Sequence, residues 1–176
     1  TTMGNDVTSS GFLSDSDKMK EVVDGIHRIG TEDTNLYYSI TEALNVLKTD
    51  KAVHKKRCLV IFSDGEDDQK KGITHKEAED AVKESHIPVF TVMLTGNKLK
   101  DAEESAKILG SFARNSAGGE HYAPPLEPGT SYEDICAGVN SRLWSSIVVS
   151  GRLEEIKEVG DDTVYIGVTL SDGTRE

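Results

Sequence analysis

Two oxygen-bearing side chains, Asp64 and Thr34, stand where this sequence could do chemistry. Asp64 ends the run Cys58-Leu59-Val60-Ile61-Phe62-Ser63 and is followed by Gly65, so a carboxylate, a neighbouring hydroxyl and a residue that lets backbone approach closely sit together at the end of an apolar strand. Doubly wound α/β sheets bind their ligands beyond the carboxyl ends of the strands. Carboxylate and hydroxyl oxygens at such a place suit a hard divalent cation such as Mg²⁺. The same residues, Ser63 to Asp68, also read as a solvated acidic turn. Thr34 lies just before a helical period. A hydroxyl there commonly caps the helix, and a loop threonine beside a helix start can also meet a metal or its bound water.

Other residue groups are weaker candidates. Asp64, Glu66, Asp67 and Asp68 could form the two-metal centre of a hydrolase, but consecutive loop residues rarely converge on one ion. His27, His54, His75, His86 and His121 are scattered, with no pair at the i, i+4 spacing of a helical zinc site, so a metal is expected to touch Thr34 or Asp64 and no histidine. Thr1 could act as an N-terminal nucleophile, yet nothing near it supplies a base or an oxyanion hole. Two cysteines give neither a disulfide framework nor a CxxC zinc site.

The elements that must hold Thr34 and Asp64 follow from hydrophobic periods. Ser14 and Asp17 have the spacing of an N-cap and a first-turn acid, ahead of Met19, Val22, Val23, Ile26 and Ile29 at helical spacing and Gly30 as the stop. A second helix is predicted through Leu36, Tyr37, Ile40, Ala43, Leu44 and Leu47. Cys58–Phe62 and Ile87–Leu94 read as strands buried on both faces, Pro88 being tolerable near a strand's start. Thr74 and Glu77 form a capping box for a third helix reaching about His86, and a fourth helix spans roughly Leu99–Asn115. Gly118-Gly119 turns into a short strand at His121-Tyr122, and Ser131 opens a fifth helix ending near Trp144. Alternating strands and helices predict an α/β fold: a doubly wound, mainly parallel sheet with helices on both faces. After Trp144 the pattern changes. Ile147-Val148-Val149, Thr163–Leu170 and the Asp172-Gly173 turn read as the start of an all-β segment, dividing the chain into 1–144 and 145–176.

Asp33-Thr34-Asn35-Leu36-Tyr37-Tyr38-Ser39-Ile40 followed by Leu59-Val60-Ile61-Phe62-Ser63-Asp64-Gly65-Glu66 resembles the second and third metal-site segments of the von Willebrand factor A family. The likeness continues through Ile87–Val92 and Gly118–Tyr122 and covers about residues 12 to 144. It implies a Rossmann-like domain with a metal-ion-dependent adhesion site, MIDAS, in which Thr34 and Asp64 bind Mg²⁺, or Mn²⁺ or Ca²⁺ in its place. The family's first metal segment is an Asp-x-Ser-x-Ser loop after a central strand. Asp6-Val7-Thr8-Ser9-Ser10 imitates that loop, but no apolar strand precedes it, and the interval to Thr34 is too short for the helix and two strands the family places there. The resemblance therefore implies a domain lacking its N-terminal strand and loop. That strand would be supplied by a separate polypeptide or a neighbouring copy, or the sheet order would be altered. The chain starts at Thr1 and is read as a fragment or processed product.

The family's role is binding: a protein ligand completes the metal's coordination through an acidic side chain, and no residue is assigned to catalysis. A hydrolase using the loop Asp64–Asp68 and a structural domain with a non-functional metal site are the rival readings. Asp33, before Thr34, stands where the family often has glycine. Hydrophobic residues make up 36% and charged residues 29%, the profile of a globular domain, and the formal net charge of −11 argues against nucleic acid as partner. The β-rich tail resembles the segments found after such domains in secreted or surface-anchored bacterial proteins, implying an extracytoplasmic or cell-surface location.

Overall fold

In the computed structural model the described residues are 10–25, 34–49, 56–68, 71–94, 102–123 and 131–145. They form, in chain order, α1 (Ser16–Asp24), α2 (Leu36–Thr49), β1 (Leu59–Ser63), α3 (His75–Ser85), β2 (Val89–Met93), α4 (Ala102–Asn115), β3 (His121–Tyr122) and α5 (Tyr132–Ser145). Contacts divide the chain into Thr1–Ser146 and Ile147–Glu176, and the second unit, with its expected β segment, lies outside the described residues.

The sheet is parallel, in the order β1-β2-β3. Its register pairs Ile61 with Thr91 and Thr91 with His121 on one face, and Phe62 with Val92 and Val92 with Tyr122 on the other. On the first face Ile61, Val89 and Met93 join Leu36, Ile40 and Leu44 of α2, Ala78 and Val82 of α3, and Leu109 and Phe112 of α4 in the main core. On the second face the Tyr122 hydroxyl lies 3.6 Å from where a side chain on Gly138 of α5 would begin. Helices therefore flank both faces, and the fold is α/β as the sequence pattern predicts.

The caps follow local chemistry. Thr74 and Glu77 make the predicted capping box of α3, and His86 ends that helix in the left-handed conformation at φ 53°. Ser131 and Asp134 exchange the same pair of bonds at α5. At α1 the cap is Asp15 rather than Ser14: its Oδ1 accepts from the amides of Asp17 and Lys18 at 2.9 and 3.1 Å. A carboxylate is the better partner for amides at the positive end of a helix dipole.

Helix α1 buries no residue and exposes Met19, Val22 and Val23. One packing expectation needs correction: β1 is not buried on both faces. Ile61 and Ser63 are buried, whereas Val60 and Phe62 are 36% and 39% exposed. The physical reason is position: β2 has a strand on each side and is buried throughout, while β1 is an edge strand among the described residues. Residues 1–9, which carry the Asp6-Ser10 imitation except its last residue, lie outside the described set; Ser10 itself is exposed.

Candidate metal centre

The chain leaves β1 at its carboxyl end through Ser63, Asp64 and Gly65. Ser63 is buried, and its Oγ accepts the Gly65 amide at 3.0 Å. Asp64 is half-buried, and its Oδ1 accepts the Glu66 amide at 3.2 Å, a bond that folds the turn back on itself. Gly65 has φ +87°, and a Cβ there would lie 2.9 Å from both Cβ and the carbonyl oxygen of Ser105 at the start of α4. Glycine is required here twice over: for the left-handed backbone, and for the close approach to α4.

Thr34, half-buried and two residues before α2, is brought to the same loop from a distant part of the sequence. Its amide donates to Asp68 Oδ2 at 2.6 Å, and its carbonyl accepts the Asp68 amide at 2.8 Å. One residue earlier, Asp67 Oδ1 accepts the Tyr37 amide at 3.0 Å, capping the first turn of α2. The acidic loop is thus fastened to the α2 start by these hydrogen bonds. Helix N-termini leave amides unsatisfied, and here carboxylates from across the fold satisfy them.

These bonds show what the carboxylates of the loop and the start of α2 are engaged in. The first turn of α2 is capped by Asp67, so Thr34 need not be its only cap. Asp67 and Asp68 are committed to backbone amides, which weakens the case for a dense carboxylate centre spanning Asp64–Asp68. Among the described residues no group of three or more His, Cys, Asp or Glu is arranged to hold a metal ion. What the loop offers is a set of oxygens, the Asp64 carboxylate and the Thr34 hydroxyl. That donor chemistry fits Mg²⁺, whose six positions are commonly filled by one or two carboxylates and several waters. The surroundings are anionic. Burial raises the Tyr37 phenol pKa above its ordinary value, and the negative charges of Asp67 and Glu104 push it the same way.

Of the described histidines, His75 and His121 serve the packing, and the exposed His86 ends α3. His75 Nε2 lies 2.9 Å from Ser111 Oγ and 3.6 Å from Glu79, joining α3 to α4. His121 Nδ1 lies 2.8 Å from Thr91 Oγ1, and that hydroxyl donates to the Leu109 carbonyl at 3.1 Å, which leaves it to accept from Nδ1–H. Burial lowers the His121 pKa, and the nearby Arg114 charge adds to the effect. His27 and His54 lie outside the described residues. Cys58 is half-buried, which raises its thiol pKa, and Cys136 is exposed; neither forms a disulfide.

The hydrogen bonds of Asp67 and Asp68 to the start of α2 are what sequence reasoning missed. Their partners lie 30 and 34 residues away, so no local spacing signals them. A search of the curated proteins finds no match to the chain. The von Willebrand factor type A domain, by contrast, matches residues 2–122, well over half the sequence. The match spans Thr34, α2, β1, Asp64 and the acidic loop that follows it. The chain therefore belongs to the von Willebrand factor type A domain family.

Proposed function

We propose that this protein is a binding module that holds a divalent cation, Mg²⁺ in the first instance, with Thr34 and Asp64, and takes a protein ligand through an acidic side chain. Domains of this family generally mediate metal-dependent interactions rather than catalysis. The observation that carries the proposal is the fastening of Thr34 to the loop of Asp64, through the paired bonds between Thr34 and Asp68. Bound there, the cation would supply a Lewis-acidic position open to a carboxylate. The chain's part is to hold two hard oxygens at the carboxyl edge of the sheet and to keep Asp67 and Asp68 occupied with backbone amides. Further coordination would come from water, from the ligand and from an Asp-x-Ser-x-Ser loop supplied, like the strand that precedes it in the family, by another segment or polypeptide. Extracytoplasmic or cell-surface display goes with this reading. Recovery of the protein wholly in the cytoplasmic fraction of its cells would contradict that part.

Mn²⁺ is the practical probe, because its effect on water-proton relaxation reports both binding and displacement of metal-bound water. The chain should enhance relaxation on binding Mn²⁺, and acetate should reduce the enhancement by taking a water's place. Asp64→Ala and Thr34→Ala should each abolish it. Enhancement that persists in Asp64→Ala, or depends on histidine, would place the metal elsewhere.

A further inference from the structure

Resting on that reading, we infer that Asp67 and Asp68 are positioning residues of the metal site: they hold the Thr34 hydroxyl in register with Asp64 by binding backbone, without touching the cation. The geometry separates the four residues into two pairs. Asp64 and Thr34 stand at the carboxyl edge of β1 and just ahead of α2, on two segments that are 30 residues apart in sequence. Two segments so far apart share a ligand only if something fixes their separation. Asp68 does this with a two-way bond, its Oδ2 accepting the Thr34 amide at 2.6 Å and its own amide donating to the Thr34 carbonyl at 2.8 Å. Asp67 adds a second fastening point one turn along, at the Tyr37 amide.

The arrangement is stiff. Tyr37 is 5% exposed, and Leu36 beside it is fully buried, so the α2 start cannot slide without disturbing the core. Gly65 is pressed against Ser105, so the loop cannot retreat toward α4. The loop and the helix start are therefore each anchored, and the carboxylates of Asp67 and Asp68 join them. A carboxylate accepting an amide hydrogen bond is a charge-assisted contact, short and directional. An unbound Asp67 or Asp68 side chain would compete for the cation as a misplaced ligand. Held by amides, each stays out of the coordination sphere and acts through position alone. Residues that orient metal ligands typically change affinity by about 10- to 100-fold when they are lost.

The test compares Asp68→Asn, Asp68→Ala and Asp67→Ala with the unaltered chain, using Mg²⁺ calorimetry and the Thr34 methyl signal during the same titration. Asn keeps an oxygen that can accept the Thr34 amide, whereas Ala keeps only the backbone half of the pair. Asp68→Asn should retain Mg²⁺ affinity to within about threefold, and both Ala variants should lose about tenfold or more. In Asp68→Ala the Thr34 methyl should start from a shifted position and move less on adding Mg²⁺. Thermal melts of the metal-free variants identify any that fail to fold, in which case Asp68→Asn against Asp68→Glu carries the comparison, the longer side chain displacing Thr34. Unchanged affinity in Asp68→Ala, with Mg²⁺ still bound through Asp64, would overturn this inference alone. Equal losses in Asp68→Asn and Asp68→Ala would overturn it too, by showing that charge rather than position matters. No Mg²⁺ binding by the unaltered chain, or binding indifferent to Asp64→Ala, would overturn the site reading and this inference with it.

Discussion

Gly65 turns the chain out of β1 with φ +87° while its Cα lies against Ser105, so a single methyl group added there meets both a left-handed backbone and a contact of 2.9 Å. Gly65→Ala should cost about 1–3 kcal/mol, measurable by urea unfolding, and should weaken Mn²⁺ binding because the loop must move away from α4. A loss below a few tenths of a kcal/mol would mean that the loop adapts freely. His121 gives a second prediction at this scale. Its Nε2 is buried and has no hydrogen-bond partner among the described residues, so protonation would leave an unsolvated N–H. Its folded pKa therefore lies below the ordinary 6.5. As pH falls through that ordinary value the unfolded chain takes a proton that the folded chain refuses. Stability contributed by neutral His121 is complete above the ordinary value and is lost as pH falls toward the folded one. Melts between pH 7.5 and 5 should show this decline, and His121→Phe should flatten it. Little of this is legible in the sequence. Asp64 and Thr34 are visible there because a strand end and a helix start announce themselves locally. The partners of Asp67, Asp68 and His121 depend on tertiary approach, which no local spacing encodes.

Elements built on apolar period and capping residues are the most legible. The Thr74–Glu77 box sits where its spacing places it, and the strands and helices from α2 to α5 fall within a few residues of their predicted bounds. The exposure of α1 is not legible, because an amphipathic stripe states that a helix can pack and leaves open against what. Helix α5 shows how an element with few buried residues is retained. Only Ile135 and Val139 are buried, while Arg142 binds both carboxylate oxygens of Glu120 at 2.9 and 3.0 Å. Glu120 also accepts the Tyr122 hydroxyl at 2.6 Å. Burial first, then the Glu120 hydrogen bond and charge, push the Tyr122 pKa up to about 12. The ion pair is partly exposed, so its direct contribution is small, about 0–1 kcal/mol. Glu120→Gln should nonetheless speed amide exchange across Tyr132–Ser145 about fivefold and lower the Tyr122 pKa toward 10, burial keeping it above that value. Unaltered exchange would show that Ile135 and Val139 alone hold the helix.

For the whole molecule the α/β class and parallel sheet follow from alternation, whereas the exposed face of β1 does not. An apolar run cannot distinguish a central strand from one at an edge. The Leu59 amide donates to Pro88, and Ser63 accepts from Leu94, so Leu59, Ile61 and Ser63 turn their backbone groups to β2. Val60 and Phe62 turn theirs the other way, toward no described strand. In the isolated chain the amides of Val60 and Phe62 should exchange faster than that of Ile61, on the order of 100-fold. Equal protection would reveal a neighbouring strand, and its dependence on protein concentration would tell a second copy from a segment of the same chain. The claim on which the functional account turns is metal binding at Asp64, and paired thermal melts with and without Mg²⁺ test it most directly. At a Mg²⁺ concentration about 100 times the Kd the folded state gains about 2.7 kcal/mol, which raises the Tm of a domain this size by roughly 5–10 °C. The account predicts that rise in the unaltered chain and none in Asp64→Ala, whose metal-free melt should show an intact fold. The same Mg²⁺-dependent rise in both proteins would contradict it.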